Sequence, residues 1–297
     1  MGESDRSGTP FNTAWKAFGY DIDGHITFKD STDVCAAVIK TNQIDGFLGA
    51  DNEFGSVLLP IVETGLGTDR ISNDVSGFVA DGAWTLLLQT TGLNGKPDQT
   101  ATALSAQIFV GASTTSPAFD SSTDWPVTPS SLNDGTTIAS GARVHFDTVY
   151  VANGTIVATD ASQALTIPMM FVIYDAQSKQ PSRPAVMTLR ISRPIVTWST
   201  TGDDGMIAGV MLAADVIAAA TQLSHQLGGS LCGSGLDGIL QQCAQALDIL
   251  DDGTNHAGVA CTATSIGLGF HAKRVANPTT VGEDPAPFVD LCDAGAD

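Results

Sequence analysis

The chain has 297 residues, of which 43% are hydrophobic and 15% charged, so it is long enough to bury a large core. Its 32 acidic residues outnumber 13 basic ones and give a formal net charge of -19. This charge excludes nucleic acid and anionic lipid surfaces as expected ligands, because both require clustered cations. It suits solubility, a saline environment or divalent cations.

The first residues, MGESDRSGTP, lack the basic and apolar runs of an export signal. The cysteines described below nevertheless favour an oxidising compartment. We therefore expect an extracellular or cell-surface protein whose leader has been removed and whose Met1 was supplied for expression. A cytoplasmic protein with reduced thiols is the alternative. Residues 1–15 are expected to form a flexible lead.

The segment after this lead predicts a short strand and two helices. Residues 19–28 alternate like a strand broken by Asp-Gly turns. Residues 31–40 carry the capping and dipole signals of a helix. A second helix is expected to begin near Asp51, with Pro60 bending or ending it.

From Ala83 to Thr200 the pattern changes to short alternating runs separated by turn residues. It predicts an antiparallel β-sandwich of roughly eight to ten strands. The clearest local signal is VYVANGTIVA, in which Asn153 and Gly154 predict a type I′ hairpin. The predicted fold class is α+β, mainly β with helices, and residues 16–200 are expected to hold the sandwich and its N-terminal helical segment.

After Thr200 the pattern predicts helices. GMIAGVMLAADVIAAATQLSHQL predicts a buried helix, with an apolar run of about fifteen residues that is too short to span a membrane. GLDGILQQCAQALDILDD predicts a second helix, and VACTATSIGLGFHAKRV a third, although its glycines also permit a strand. Residues 201–297 are therefore expected to form a disulfide-stapled helical subdomain with an extended tail.

The cysteines form no C-x-x-C pair and have no histidine at a spacing typical of zinc sites. Disulfide bonds are the favoured interpretation, and the odd count leaves one thiol free or bridged to another chain. The connectivity is left open, although a bridge between Cys35 and Cys232 would join the two ends of the chain. The candidates are Cys35, Cys232, Cys243, Cys261 and Cys292.

The stretch from Phe18 to Val57 gathers acidic turns and is the best candidate for a site. Ca²⁺ takes about six to eight oxygen ligands, which such turns supply, although the EF-hand spacing is absent. The alternative is that these acids only form turns and cap helices. The candidate metal ligands are Asp21, Asp23, Asp45, Asp51 and Asn52, with Glu53 beside them.

A second candidate site lies in the long loop from Ser113 to Gly135, because long ordered loops often bind ligands. Asp120 and Asp124 beside Trp125 could hold a sugar on an exposed ring. The alternative is that Trp125 fills the edge of the core.

No stretch carries the signature of a zinc enzyme, a serine hydrolase or a phosphate-binding loop, so no catalytic residue is predicted. An enzyme that hydrolyses glycosides with two carboxylates in a cleft is the enzymatic alternative.

Several segments carry a resemblance to a known group. GYDIDG, IDGFLGADNEFGSVL, STDWPV, VYVANGTIVA and ACTATSIGLGF resemble uncharacterised secreted proteins or lipoproteins of myxobacterial type. The resemblance implies export of a bacterial protein and lipid anchoring through a leader cysteine, and it supplies no catalytic residue.

The leading hypothesis is an exported, non-enzymatic surface or binding protein that Ca²⁺ stabilises and that binds a glycan or a protein. The alternatives are an exported carboxylate-dependent hydrolase and a structural component of the cell envelope. The oligomeric state is left open.

Overall fold

The computed structural model describes residues 11–38, 42–66, 71–100, 104–175 and 180–292. Within them the chain is an α+β protein built mainly of antiparallel strands. The helices are α1 (Phe11–Ala14), α2 (Leu59–Leu66), α3 (Ile71–Ala80), α4 (Ala213–Leu227) and α5 (Ser234–Ala244). The strands are β1 (Thr85–Thr91), β2 (Ser105–Gly111), β3 (Val144–Phe146), β4 (Thr148–Ala152), β5 (Thr155–Thr159), β6 (Ala164–Tyr174), β7 (Pro181–Ser199), β8 (Asp204–Leu212) and β9 (Ala263–His271).

These strands form two antiparallel sheets. In the smaller sheet β2 lies between β1 and β3. In the larger sheet the order is β4-β5-β7-β8-β9, and β6 also pairs with β7. β9 is therefore an edge strand of the larger sheet, so one row of its backbone groups needs partners from outside the sheet.

The two halves of β7 have different neighbours. Residues 181–192 pair with β6, whereas residues 195–199 pair with β5 on one side. β8 pairs along the other side, and its register shifts between Ser192 and Ile195. Arg193 has a φ of 54° at this shift. An irregularity of this kind turns a strand, and here it lets one strand join two parts of the sheet.

The hairpin predicted at Asn153 and Gly154 is confirmed. These two residues connect β4 to β5. Their φ angles are 50° and 75°, and positive values at both central positions are what a type I′ turn requires.

The main core lies between the larger sheet and the helices that pack on it. α4 packs on β7, α3 packs on β6, and a π-helical turn over Phe54–Leu58 packs on β9. A second, smaller cluster of buried side chains surrounds Trp125.

The prediction for the C-terminal part needs correction. Residues 204–212, predicted to begin a long helix, form β8, and α4 begins only at Ala213. Residues 263–271, predicted first as a helix, form β9. Both strands are buried along most of their length on both faces, so their apolar runs lack the alternation that separates a strand from a buried helix. Residues 204–212 and 263–271 therefore belong to the larger sheet.

The N-terminal segment also departs from prediction. Residues 19–28 contain no strand and residues 31–38 contain no helix, while residues 39–41 lie outside the described ranges. Of the predicted flexible lead, residues 1–10 also lie outside them, and α1 follows directly. Instead of the predicted strand and helix, this segment forms turns that side-chain hydrogen bonds hold in place.

The helix predicted near Asp51 is confirmed. It begins with the π-helical turn Phe54–Leu58 and continues as α2. Pro60, expected to bend or end this helix, lies just after the π-helical turn, and the helix continues past it to Leu66.

One disulfide ties the C-terminal part to the N-terminal segment, and a second lies within the C-terminal part. Cys35 pairs with Cys261, and Cys232 pairs with Cys292. Cys243 is free and buried, so the expected unpaired thiol is confirmed. Cys35 does bridge to the C-terminal part, but its partner is Cys261 and not Cys232. Two disulfides indicate an oxidising environment.

Membrane insertion of a helix finds no support in the described ranges. None of the helices there is both long and apolar enough to cross a bilayer.

Glycines let the N-terminal segment lie directly against the edge strand β9. A Cβ atom at Gly267 would lie 2.5 Å from the Phe18 carbonyl oxygen, and one at Gly269 would lie 2.2 Å from the Phe18 ring. Both glycines belong to the SIGLGF run, whose helix or strand assignment was open. Here they provide space for another backbone.

We expect Gly267→Ala to lower the free energy of unfolding by about 1–3 kcal/mol, because the added methyl group forces the N-terminal segment away from β9. Gly238→Ala is the control, since no heavy atom lies within 4 Å of a Cβ built in that α5 position. It should be neutral or stabilise the protein by about 0.5–1 kcal/mol. Urea unfolding followed by circular dichroism measures both. Equal effects would show that close packing at Gly267 is unimportant.

Peptide mapping of the non-reduced protein should recover only the pairs Cys35–Cys261 and Cys232–Cys292. Cys243 should react with iodoacetamide only after unfolding, because its side chain is buried and burial raises the pKa of its thiol. Rapid labelling of Cys243 in the folded protein would contradict this arrangement.

Candidate functional site

Asn52 attaches the N-terminal segment to the edge of the larger sheet. Its side-chain Oδ1 accepts a hydrogen bond from Gly267 N at 3.0 Å, and its Nδ2 donates one to Gly267 O at 3.1 Å. Nδ2 also donates to Phe18 O at 2.9 Å, and Oδ1 accepts from Gly55 N at 3.0 Å. The amide therefore makes the two hydrogen bonds with the Gly267 backbone that a neighbouring strand would otherwise make. This contact places Asp51 and Glu53 beside β9.

Three predicted carboxylates converge at this junction. Asp21, Asp23 and Asp51 each place an oxygen within 4.8 Å of the others. Oxygens bound to one Ca²⁺ lie at about 2.3–2.6 Å from it, so two of them are at most about 5 Å apart. The spacing of these three carboxylates therefore fits a shared cation.

Local hydrogen bonds hold these carboxylates in place. Asp51 Oδ2 accepts from Ile22 N at 2.7 Å, which closes the loop between the two acidic turns. Asp23 Oδ1 accepts from His25 N at 2.8 Å, and Gly24 between them has a φ of 77°. The Asp-Gly pair seen in the sequence thus forms the turn that directs Asp23 toward Asp51.

Asp45 joins the same group from a neighbouring segment. Its Oδ2 accepts from Thr27 N at 2.5 Å, and the Asp45 backbone N–H donates to Thr27 O at 3.3 Å. Asp45 and Asp51 also line the same small cavity. Two of the predicted acidic turns are therefore in direct contact.

Two further acids, Asp248 and Glu53, lie next to this group and are linked through Ser265. Ser265 N donates to Asp248 Oδ1 at 2.8 Å, and the Ser265 hydroxyl donates to Asp248 Oδ2 at 2.5 Å. The same hydroxyl accepts from Glu53 N at 2.9 Å. Glu53 is buried and its Oε1 has no hydrogen-bond partner among the residues described.

Burial makes this cluster electrostatically unfavourable when all its acids are ionised. Burial, with repulsion from Asp23 second, raises the pKa of Asp51 to about 9. Burial likewise raises the pKa of Asp45 to about 7. It also raises the pKa values of Glu53 and Asp248, which repel each other. At neutral pH these groups must retain protons or gain a positive partner.

No positive side chain supplies that partner in the ranges the structure describes. The ion pairs there join His25 to Asp33, Arg190 to Asp215, His225 to Asp290 and His271 to Asp204. None of them includes a carboxylate of the cluster. The negative charge is therefore offset only by hydrogen-bond donors.

A cavity of about 10 Å³ adjoins Asp45, Asp51 and Asp248. This is room for a single water molecule or ion. The cavity is also lined by Asn255 and by the Cys35–Cys261 disulfide. The disulfide thus fixes one wall of the space beside the acids.

Asn255 links this wall to the carboxylates. Its Nδ2 donates to Asp23 Oδ2 at 2.8 Å, and its Oδ1 accepts from Cys35 N at 2.5 Å. The sequence prediction did not include Asn255 and Asp248, because both lie far along the chain from the N-terminal acids; Asn255 is 232 positions from Asp23. The available signal is the acid-rich run DILDDGTNH, whose first five residues belong to the end of the predicted helix GLDGILQQCAQALDILDD.

The second predicted site differs from its expected form. Trp125 is 1% exposed, and its indole N–H donates to Ala112 O at 2.7 Å. It therefore belongs to the smaller core cluster and offers no exposed ring to a sugar. Asp120 Oδ1 closes a local turn with Ser122 N at 2.8 Å, and Asp124 Oδ1 accepts from Thr279 N at 2.9 Å.

In metal-free protein, we expect the melting temperature to fall by several degrees as the pH rises from 5 to 9. Asp45 and Asp51 have raised pKa values when folded, so the folded state binds more protons than the unfolded state in this range. The stabilisation that these protons provide is fully present below the pKa of the unfolded state, and it is lost as the pH rises through the pKa of the folded state.

Asp51→Asn should reduce this pH dependence, while Asp251→Asn, at an exposed position, should leave it unchanged. Thermal unfolding in a chelating buffer measures all three proteins. A melting temperature that stays constant or rises over this interval would contradict the proposed electrostatic strain.

The site thus combines three converging carboxylates, further buried acids and a small cavity beside a disulfide. The chain matches no protein-family model, no curated protein and no solved structure.

Proposed function

We propose that this chain is an exported surface or binding protein in which Ca²⁺ fixes the N-terminal segment to the larger sheet. The observation that carries the proposal is the convergence of Asp21, Asp23 and Asp51 within 4.8 Å. The two disulfides support export, because disulfides persist in oxidising compartments. A leader and a lipid anchor of the myxobacterial type would fit this location.

A cation resolves a conflict at Asp51. Two backbone N–H groups, of Ile22 and Asp23, lie 2.7 and 3.4 Å from its Oδ2 and favour the charged carboxylate. Burial opposes that charge, since Asp51 is only 3% exposed. A divalent ion shared with Asp21 and Asp23 would stabilise all three in their ionised form.

The ligand set follows from which atoms are already engaged. Asp21, Asp23 and Asp51 supply the first oxygens. Asp45 lies outside this converging group but lines the same cavity as Asp51 and adds its negative charge there. Asn255 orients Asp23 in the way that outer hydrogen bonds orient metal ligands. Asn52, predicted as a ligand, uses its amide to bind Gly267 and is left out of the proposed set.

Carboxylate oxygens favour Ca²⁺ over softer ions. Zn²⁺ prefers nitrogen and sulfur ligands, and neither type belongs to this group of converging atoms. Asp21 is exposed, so water can complete the larger, irregular coordination that Ca²⁺ accepts and Mg²⁺ does not.

Apolar side chains near the acids favour a protein as the partner. Thr27 and Asp45 face each other, and their neighbours Ile26, Phe28 and Ile44 are at least 50% exposed. Leu48, with a φ of 60°, is 94% exposed. Exposed apolar side chains favour contact with a protein surface, and a polar glycan would gain little from them. Bound Ca²⁺ would hold this surface in one conformation.

The hydrolase alternative is less well supported by the same geometry. The cavity beside the buried acids measures about 10 Å³, which leaves no space for a sugar ring. Asp51, the acid with the pKa raised to about 9, is buried and not placed in an open cleft.

Addition of millimolar Ca²⁺ to chelator-treated protein should raise the melting temperature by about 5 °C or more, since a ligand at about 100 times its Kd stabilises by about 2.7 kcal/mol. Calorimetric titration should give one high-affinity site that tightens from pH 6 to pH 8, because binding requires ionised Asp45 and Asp51.

Asp51→Asn and Asp23→Asn should lose this response, while Asp251→Asn should keep it. Mg²⁺ should act only weakly. No shift of the melting temperature with Ca²⁺ in the parent protein would end the proposal, and an equal response to Mg²⁺ would reject Ca²⁺ as the specific ion.

A further inference from the structure

A groove of about 380 Å³ lies between β6, β7, α4 and residues 285–290. None of the residues that line it belongs to the acidic cluster. We infer that this groove binds a small apolar molecule that carries a carbonyl or carboxyl oxygen. The inference is independent of Ca²⁺ binding, because the two sites share no lining residue.

The size and the lining of the groove fit a small-molecule site. Such sites commonly measure about 300–1,000 Å³ and are mostly apolar, with a few polar groups that orient the ligand. One wall is formed by Trp84, Met170 and Val186. The facing wall is formed by residues 285–290, which include Pro287 and Phe288.

Trp84 provides the polar feature that points to a ligand. Its side chain is 5% exposed, and its indole N–H has no hydrogen-bond partner within the part of the chain that is described. A buried donor without an acceptor is costly, by about 1–3 kcal/mol. An acceptor oxygen on a bound molecule would remove that cost.

Two other polar side chains of the groove, Gln222 and Gln226, are engaged with β7. Gln226 Oε1 accepts from Val186 N at 2.9 Å, and its Nε2 donates to Val186 O at 2.7 Å. Gln222 Oε1 accepts from Thr188 N at 2.9 Å. These amides hold α4 against β7, and the indole N–H of Trp84 is the buried donor of the groove that has no acceptor among the described residues.

The facing wall belongs to a C-terminal strap, residues 279–292, which is fixed at both ends. At its start, Thr279 N donates to Asp124 and Ser130 N donates to Asp284 Oδ1 at 3.1 Å. At its end, the Cys232–Cys292 disulfide closes the strap onto the region after α4. His225 Nδ1 lies 2.7 Å from Asp290 Oδ2 beside that disulfide. The wall is therefore formed before a ligand arrives, which lowers the entropic cost of binding.

Calorimetric titration and tryptophan fluorescence with decanoate and decylammonium test the inference. Decanoate carries an acceptor, whereas decylammonium carries only donors. We expect decanoate to bind at one site, and Trp84→Phe to weaken it roughly tenfold by removing the N–H while keeping most of the ring. The weaker binding of decylammonium should not change.

Trp125→Phe is the matched control, because that indole N–H donates to Ala112 O in the other core cluster. It should leave decanoate affinity unchanged. Met170→Trp fills the groove without altering Trp84 and should abolish binding. Circular dichroism and thermal unfolding confirm that each variant is folded.

Replacing both Cys232 and Cys292 by Ser should weaken decanoate binding several-fold, because the facing wall loses its clamp. Tighter binding in that variant would show that the strap itself occupies the groove, and would overturn the inference. Absence of decanoate binding to the parent protein, or equal binding to Trp84→Phe, would overturn it as well, leaving the indole N–H to an ordered water.

Discussion

The arrangement of this protein depends on buried carboxylates that no described positive side chain neutralises. Asp51 and Glu53 follow the N-terminal segment into a position against β9, where Asp248 already lies. The hydrogen bonds of Asn52 to Gly267 require this placement, so the chain cannot relieve the repulsion by moving these acids into water. Protons or a cation must compensate, and both link the stability of the fold to its surroundings.

The contacts that hold the buried acids in place come from distant parts of the chain. Gly267 and Gly269 allow backbone contact with Phe18, and Asn52 covers the open edge of β9. The Cys35–Cys261 disulfide then closes the junction covalently over a separation of 226 residues. Loop closure of this length restricts the unfolded state, which offsets part of the electrostatic cost. A bound Ca²⁺ would add to the same junction.

The two disulfides have parallel roles at different places. One fixes a wall beside the acidic cluster, and the other fixes the strap that faces Trp84. In both cases an extended segment without regular secondary structure becomes a defined surface. A β-sheet framework with covalently held connections suits a binding protein, because binding residues then need no helix or strand of their own.

The sequence alone determined the features that depend on neighbouring residues. Asn153-Gly154 specified a hairpin, the helix after Asp51 followed from its apolar spacing, and the acidic turns near Asp21 and Asp51 were recognised as one candidate site. The helix predicted over Met206–Leu212 was wrong, because strands buried on both faces show no alternation. Only the tertiary structure brought Asn255 and Asp248 to the acids, paired Cys35 with Cys261 and placed Trp125 in the core. These features depend on which distant segments of the chain pack together, and local sequence patterns do not determine that packing.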